Sequence, residues 1–142
     1  MCPQSNFYFI SSNDSLDLYP NNHPADFSVH LPIPLFLSEN WEMGLLDFSL
    51  EAEFITLPKE IYVCVNVLDS SYVCGNLSKV LKRISIPKEF RGKLIFYFPC
   101  VNYVPITSNY LNYFQVKIFS ETFQEAAFKK GNLYGTLHLR KC

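Results

Sequence analysis

The chain has 142 residues, of which 49% are apolar, 16% aromatic and 18% charged, and its formal net charge is −1. This composition excludes a disordered chain, and the near-neutral charge disfavours a protein that coats nucleic acid. No apolar run approaches the ~18 residues of a membrane helix, and residues 1–12 lack the basic and long apolar segments of a signal peptide, so we expect neither feature.

Most of the predicted elements are strands. Apolar or alternating segments occupy residues 6–11, 26–31, 40–51, 53–58, 60–69, 93–100, 112–121 and 132–141. In the second of these, Phe27, Val29 and Leu31 share one face, whereas Ser28 and His30 share the other. About eight strands separated by turn residues or prolines predict an all-β fold, an antiparallel sandwich or barrel, with residues 1–142 forming a single domain.

Three segments interrupt the strand pattern. Residues 31–37 ("LPIPLFL") contain Pro32 and Pro34, so we expect an extended chain that pairs incompletely and crosses from one sheet to another. Residues 78–83 ("SKVLKR") and 121–128 ("ETFQEAAF") are the only helix candidates, and each has one or two turns at most.

The opening stretch at residues 13–27 ("NDSLDLYPNNHPADF") is rich in turn-forming residues. Tyr19, Pro20, Asn21 and Asn22 suit a type I turn with a left-handed residue at an asparagine. We expect Asp14 and Asp17 to cap turns. Two interpretations stay open: the loop only reverses the chain, or it is an interface. In the second case Asp17, Tyr19, Asn21 and Asn22 are the candidate interface residues.

Charge is distributed unevenly along the chain. Residues 1–70 contain ten acids and one base, and residues 71–142 contain three acids and eleven bases. Either the strands mix these charges in space, or the surface has two signs and favours head-to-tail contacts between copies. Residues 79–93 contain six bases and one acid, and Lys82, Arg83, Lys88 and Arg91 are the candidate contacts to an acidic partner. With Phe90 as the only aromatic there, nucleic acid is the less favoured ligand.

Catalytic patterns are missing from the sequence. It contains no G-x-S-x-G, P-loop or H-E-x-x-H motif and only five glycines, so we predict no enzyme and no cofactor. His30 and His138 fall on polar strand faces, and His23 falls in a turn. The segment that contains Asp14 and Asp17 lacks the glycine of a calcium-binding loop, so we predict no metal site.

The five cysteines are an odd number without a C-x-x-C pair. We therefore predict reduced thiols, as in an intracellular protein, and neither a disulfide scaffold nor a zinc site. Cys64 and Cys100 lie in apolar segments, where we expect packed thiols and not nucleophiles. The remaining three are Cys2, Cys74 and Cys142.

Several ordered segments carry a family resemblance. They are "SSNDSLDLYPNN-x-P-x-DFSVHLP", "NWEMGLLDFSL", "SYVCGNLSKVLKRISIP", "VNYVPITSNYLNYFQVKI" and "GNLYGTLHLRK". Together they resemble short β-rich capsid-associated proteins of Polinton (Maverick) transposons and of adintovirus- and adomavirus-type genomes. The chain departs from that pattern at Met43-Gly44, where Val-Ala is usual, and at Leu139, where Phe is usual.

The resemblance implies a single jelly-roll-like sandwich and a structural role. It implies a minor capsid, penton-type or capsid-associated subunit that self-assembles or binds other capsid proteins, in the virion and in the host cell during assembly. Nucleic acid and membrane are not expected partners. The alternative function is a monomeric β-sandwich recognition module for a host protein or a glycan.

Overall fold

The computed structural model describes residues 5–73 and 75–141, and every regular element within them is a β-strand. The strands are β1 (Ser5–Ser11), β2 (Asp26–Phe36), β3 (Trp41–Phe54), β4 (Glu60–Val65), β5 (Ser71–Val73), β6 (Asn76–Ser78), β7 (Val80–Ser85), β8 (Lys93–Tyr97), β9 (Tyr103–Pro105), β10 (Tyr110–Ser120) and β11 (Phe128–Lys141). The predicted all-β class is confirmed.

The strands form two antiparallel sheets that pack face to face. The first sheet has the order β1-β11-β3-β8, and β9 also pairs with β3. The second sheet has the order β2-β10-β4-β7, while β5 and β6 form a separate two-stranded hairpin. The sequence was compatible with either a sandwich or a barrel. The architecture is a sandwich, because the two sheets have separate strand orders and separate edges.

Eight of the eleven strands have five residues or more, and their pairing is that of a jelly roll. Numbered one to eight along the chain, the first pairs with the eighth (β1 with β11) and the second with the seventh (β2 with β10). The third pairs with the sixth (β3 with β8) and the fourth with the fifth (β4 with β7). A long antiparallel hairpin wrapped around a core produces this pattern.

The alternating segments supply the core between the sheets. Phe27, Phe48 and Phe114 are at most 1% exposed, and Val29 and Leu31 are buried beside Phe27 as predicted. Burial of aromatic and aliphatic side chains is the main source of stability in such a sandwich.

A β-bulge changes the inward face of β3. Trp41, Met43 and Leu45 are buried in its first half, and Phe48 and Leu50 in its second half. The register with β11 shifts between these halves, because Leu45 pairs with Leu137 and Asp47 with Thr136, which leaves Leu46 as the extra residue. A separate strand at residues 53–58 was a wrong prediction, since β3 extends to Phe54 and a loop follows.

The proline segment behaves largely as predicted. His30 pairs with Tyr113 and Leu35 with Leu111, so residues 31–34 oppose a single residue of β10 and interrupt the ladder. The chain then leaves the second sheet through residues 37–40 and enters the first sheet at Trp41.

Both helix predictions were wrong. Residues 80–85 form β7, with Leu81 and Ile84 buried, because pairing with β4 outweighs the weak helix propensity of so short a segment. Residues 121–127 form a loop in which Phe123 has a φ of 59° and the backbone N–H of Ser120 donates to the carbonyl of Gln124.

Candidate assembly surfaces

Four connecting loops meet at one end of the sandwich: residues 12–25, 55–59, 86–92 and 121–127. His23 lies 3.6 Å from Glu125, which joins the first loop to the fourth. The backbone N–H of Lys59 donates to Glu121 at 3.2 Å, which joins the second loop to the fourth. Loop ends of a rigid sandwich are common positions for binding surfaces.

The loop of residues 12–25 folds back onto β2 and is held there by Asn22. The Asn22 side-chain amide donates to the carbonyls of Asp14 and Ser28, at 3.0 and 2.8 Å, and its oxygen accepts from the Ser28 N–H at 2.9 Å. The ring of Tyr19 lies 6.4 Å from that of Tyr113 on β10. The loop is therefore an ordered surface.

The turn at Tyr19–Asn22 forms, since the Asn22 N–H donates to the Tyr19 carbonyl at 3.1 Å. The expected left-handed asparagine was wrong: within this loop the positive φ, 55°, belongs to Ser15. Ser15 Oγ also accepts from the His30 N–H, a bond that closes the loop against β2. Among the described residues, serine and asparagine side chains cap the backbone of this loop, in place of the caps expected from Asp14 and Asp17.

The eight candidate interface residues fall into two groups. Asp17 and Asn21 are exposed in the opening loop, Tyr19 is half-buried there, and the Asn22 amide is engaged within the chain. The basic candidates are Lys82, Arg83, Lys88 and Arg91, of which the first two lie on β7 and the others on the loop that follows.

The basic candidates do not form one open patch. Lys82 Nζ lies 4.7 Å from the centre of the Phe98 ring, and Arg83 Nε lies 3.4 Å from Glu60. Arg91 is exposed and donates to the carbonyl of Phe90, whereas Lys88 is exposed on the same loop. Lys88 and Arg91 lie at the same end of the sandwich as the opening loop.

The sandwich mixes the acidic and basic halves of the sequence. Four ion pairs join them: Glu42–Arg140, Glu51–Lys93, Glu53–Lys130 and Glu60–Arg83. These pairs follow from the interleaved strand order, in which β3 lies between β11 and β8. They favour the first interpretation, in which the strands mix the charges in space, and disfavour a surface with two signs.

An aromatic row crosses the outer face of the first sheet. Phe7 stacks on His138 with ring centres 4.4 Å apart, and His138 Nδ1 shares a 2.7 Å hydrogen bond with the Tyr103 hydroxyl. Gly44 lies beneath Tyr103, where a Cβ would come within 2.9 Å of that ring. The Arg140 guanidinium lies 3.4 Å from the centre of the Tyr103 ring. The row links β1, β11, β3 and β9.

Enclosure in this row disfavours the protonated form of His138. Burial lowers the pKa of His138, and the nearby Arg140 charge lowers it further. Among the described residues, buried His138 Nε2 has no hydrogen-bond partner, so a proton added there would be poorly solvated. The placement of His138 on the polar face of β11 is right, but its surroundings are aromatic.

Exposed apolar side chains lie beside this row and on β2. Phe9 and Phe36 are each 81% exposed, Tyr97 is 77% exposed and Phe7 is 57% exposed. None of these residues was a candidate from the sequence. The run "NFYFIS" signals a strand, but aromatic side chains on both its faces hide which face is buried.

A groove of about 330 Å³ lies on the outer face of the second sheet. Cys64, Lys79 and Lys117 line it, and burial raises the pKa of the Cys64 thiol to about 11. A thiol with so high a pKa is a poor nucleophile at neutral pH. Cys64 is packed as predicted, whereas Cys100 is exposed in a bend after β8, contrary to the prediction.

Residues 5–73 and 75–141 contain no cluster of three potential metal ligands among His, Cys, Asp and Glu. Nor does this part of the chain contain a helix long and apolar enough to cross a membrane. The predicted thiols Cys2, Cys74 and Cys142 lie outside the described residues.

Comparison with known proteins identifies a structural neighbour. No protein-family model and no curated protein matches the chain. The fold is similar to that of the mavirus penton protein, known from a selenomethionine-labelled crystal structure, with a TM-score of 0.68 at 7% sequence identity. The similarity covers 98% of this chain and 100% of that one. The chain therefore shares the jelly-roll fold of that protein.

Proposed function

We propose that the chain is a structural, non-enzymatic protein of a virus or virus-like element, a minor capsid subunit of penton type. The observation that carries this proposal is the similarity to the mavirus penton protein along 98% of this chain and all of the other. The sequence resemblance to proteins of Polinton, adintovirus and adomavirus genomes supports the same assignment and indicates the group of elements.

The surface of the sandwich supports a role in assembly. Large apolar side chains such as Phe9, Phe36 and Tyr97 are mostly exposed, and each would bury substantial area against a partner. Removal of apolar surface from water contributes about 25 cal/mol per Å², which makes such residues the principal source of affinity at an interface.

We infer that the partners are copies of this chain, other capsid proteins, or both, and that residues 1–142 act as one domain. Asp17, Tyr19 and Asn21 remain the proposed contacts of the opening loop, with Lys88 and Arg91 at the same end. Asn22 holds the loop in place, and Lys82 and Arg83 contribute through side chains already engaged within the chain. The corresponding locations are the virion and the host cell during assembly, and neither nucleic acid nor membrane is a proposed partner.

The test is the solution mass of the purified chain, measured by light scattering at low and high salt, alone and with the major capsid protein of the same genome. We expect a defined oligomer or a stable complex with that capsid protein. Because the charged halves pair within each chain, we expect a weak dependence on salt. A chain that stays monomeric and does not bind the capsid protein would refute the proposal and favour a monomeric recognition module.

A further inference from the structure

The free edge of β1 differs from the other outer edges of the two sheets. Unpaired strand edges are templates for another strand, and proteins protect them with charged residues, prolines or bulges. On β2 the protection is Pro32 and Pro34, and on β7 it is Lys82 and Arg83. On β8, Lys93 begins the strand. Within its bounds, Ser5–Ser11, β1 has neither a charged residue nor a proline, and its register with β11 has no bulge.

The backbone of β1 is oriented for pairing at this edge. The Ser12 N–H donates to the Leu133 carbonyl at 2.9 Å, in continuation of the β1–β11 register. Antiparallel pairing alternates, so the backbone groups of Tyr8 and Ile10 also point to β11. Those of Phe7 and Phe9 therefore point to the free edge, and both side chains lie on the outer face of the sheet.

The residue order of β1 matches its own reverse except at Asn6 and Ile10, which would oppose each other in a two-fold pair. In "SNFYFIS", Ser5 and Ser11 are equidistant from Tyr8, as are Phe7 and Phe9. A second β1, antiparallel and related by a two-fold axis through Tyr8, would place Phe7 opposite Phe9 of the second copy and Ser5 opposite its Ser11. Aromatic and hydroxyl cross-strand pairs are favourable, and the absence of charge avoids repulsion between like residues.

The space beneath β1 fits the same arrangement. An apolar slot of about 340 Å³ lies between β1 and β2, lined by Tyr8, Pro32, Ile33 and Leu35. In the two-fold pair the slots of the two copies would lie on the same inner side of the joined sheet. The Tyr8 side chains would meet at the axis, where directly opposed residues approach most closely.

We propose that β1 pairs antiparallel with β1 of a second copy of this chain, in the register that opposes Phe7 and Phe9, and joins the two first sheets into one. The pair uses all seven residues of β1, because other registers that present the same backbone groups shorten the overlap. The proposal rests on the strand edge and not on the capsid function, so either can fail without the other.

The first test is sedimentation equilibrium of the full chain and two matched variants. Phe9 and Phe36 are equally exposed, at 81%, on neighbouring edge strands. We expect Phe9→Lys to raise the dimer dissociation constant roughly tenfold or more, and Phe36→Lys to change it less than about twofold. Phe9→Pro, which removes an N–H at the free edge without removing a bond to β11, should also weaken the dimer. Circular dichroism verifies that each variant is folded.

The second test is the register. Directly opposed residues of a hydrogen-bonded antiparallel pair lie about 5.5 Å apart between Cα atoms, within reach of a disulfide, whereas Phe7 would lie beyond reach of its own equivalent. A mixture of Phe7→Cys and Phe9→Cys chains should cross-link between positions 7 and 9, as located by peptide mapping. A chain monomeric at roughly 0.1 mM, a dimer unaffected by Phe9→Lys, or cross-links confined to other positions would each overturn the proposal.

Discussion

β1 and β2 flank the same side of the sandwich, yet their edges are protected differently. β2 carries two prolines where its ladder with β10 is interrupted, and side chains of the loop of residues 12–25 bond to backbone groups on part of its free edge. β1 is continuous and uncharged, and among the described strands it pairs only with β11. Both strands expose a phenylalanine to the same degree, so apolar exposure alone does not distinguish them. The difference between the two edges therefore lies in the availability of the backbone and not in hydrophobicity, and the proposed pairing of β1 depends on it.

The largest expected effect comes from the core beneath both strands. Phe114 on β10 is fully buried and meets the ring of Tyr8 on β1 edge to face, with centres 5.5 Å apart. Phe114→Ala should lower the free energy of unfolding by about 3–5 kcal/mol, because it removes a large buried side chain and leaves a cavity. Urea denaturation measures this change.

Phe36→Ala is the control for that substitution. Phe36 is 81% exposed and contacts the ring of Tyr110 with centres 5.0 Å apart. Loss of one exposed aromatic pair should cost no more than about 1 kcal/mol. Equal losses for the two variants would contradict the assignment of Phe114 as a core residue that supports β1 through Tyr8.

The next effect concerns the aromatic row on the outer face of the first sheet, next to β1. An alanine Cβ at position 44 would lie 2.5 Å from Val101 and 2.9 Å from Tyr103. Gly44→Ala should cost about 1–3 kcal/mol by overpacking, and it should displace Tyr103 from His138. Thermal unfolding measures the cost. Ser49→Ala, on the same face of β3, should change the free energy by less than about 0.5 kcal/mol, and a similar loss there would refute the steric explanation.

The third prediction concerns the loop that covers β2. Asn22→Ala removes three hydrogen bonds and leaves the Ser28 N–H without its partner, so it should cost about 1–3 kcal/mol. Hydrogen exchange at Ser28 and His30 should accelerate. Asn21→Ala, at the exposed neighbouring asparagine, is the matched control and should cost less than about 0.5 kcal/mol. If both variants behave alike, Asn22 does not hold the loop.

Much of the fold was predictable because alternation reveals which side of a strand is buried. Phe27, Val29 and Leu31 gave the inward face of β2, and the change of phase at Leu46 is the mark of a bulge. The short strands β5, β6 and β9 have three residues each, too few for a period to be visible. The pairing order depends on contacts between strands far apart in sequence, which no local pattern encodes.

The candidate surfaces were predicted less well, for related reasons. His138 and Tyr103 are 35 residues apart and meet only because β11 and β9 both pair with β3. Arg83 was selected for its charge, but its pairing with Glu60 depends on the alignment of β7 with β4. Phe7, Tyr8 and Phe9 are all aromatic, so hydropathy does not distinguish the two faces of β1. The exposed face could therefore not be predicted from the sequence of this strand.

The smallest expected effect is a pH dependence at the aromatic row that supports β1. Because burial lowers the pKa of His138 in the folded chain, the unfolded chain takes up a proton at higher pH. The stability that neutral His138 provides is therefore fully present above its ordinary pKa of 6.5 and declines as the pH falls below that value. The Tyr103 hydroxyl and the Phe7 ring contact His138. The charge of Arg140, which is paired with Glu42, acts in the same direction as burial. Urea denaturation at pH 7.5 and 5.5 should show a larger loss for the natural chain than for His138→Gln, which cannot titrate there. A loss that is equal in both chains would mean that other groups carry the acid sensitivity, and that the contact between Phe7 and His138 is indifferent to charge.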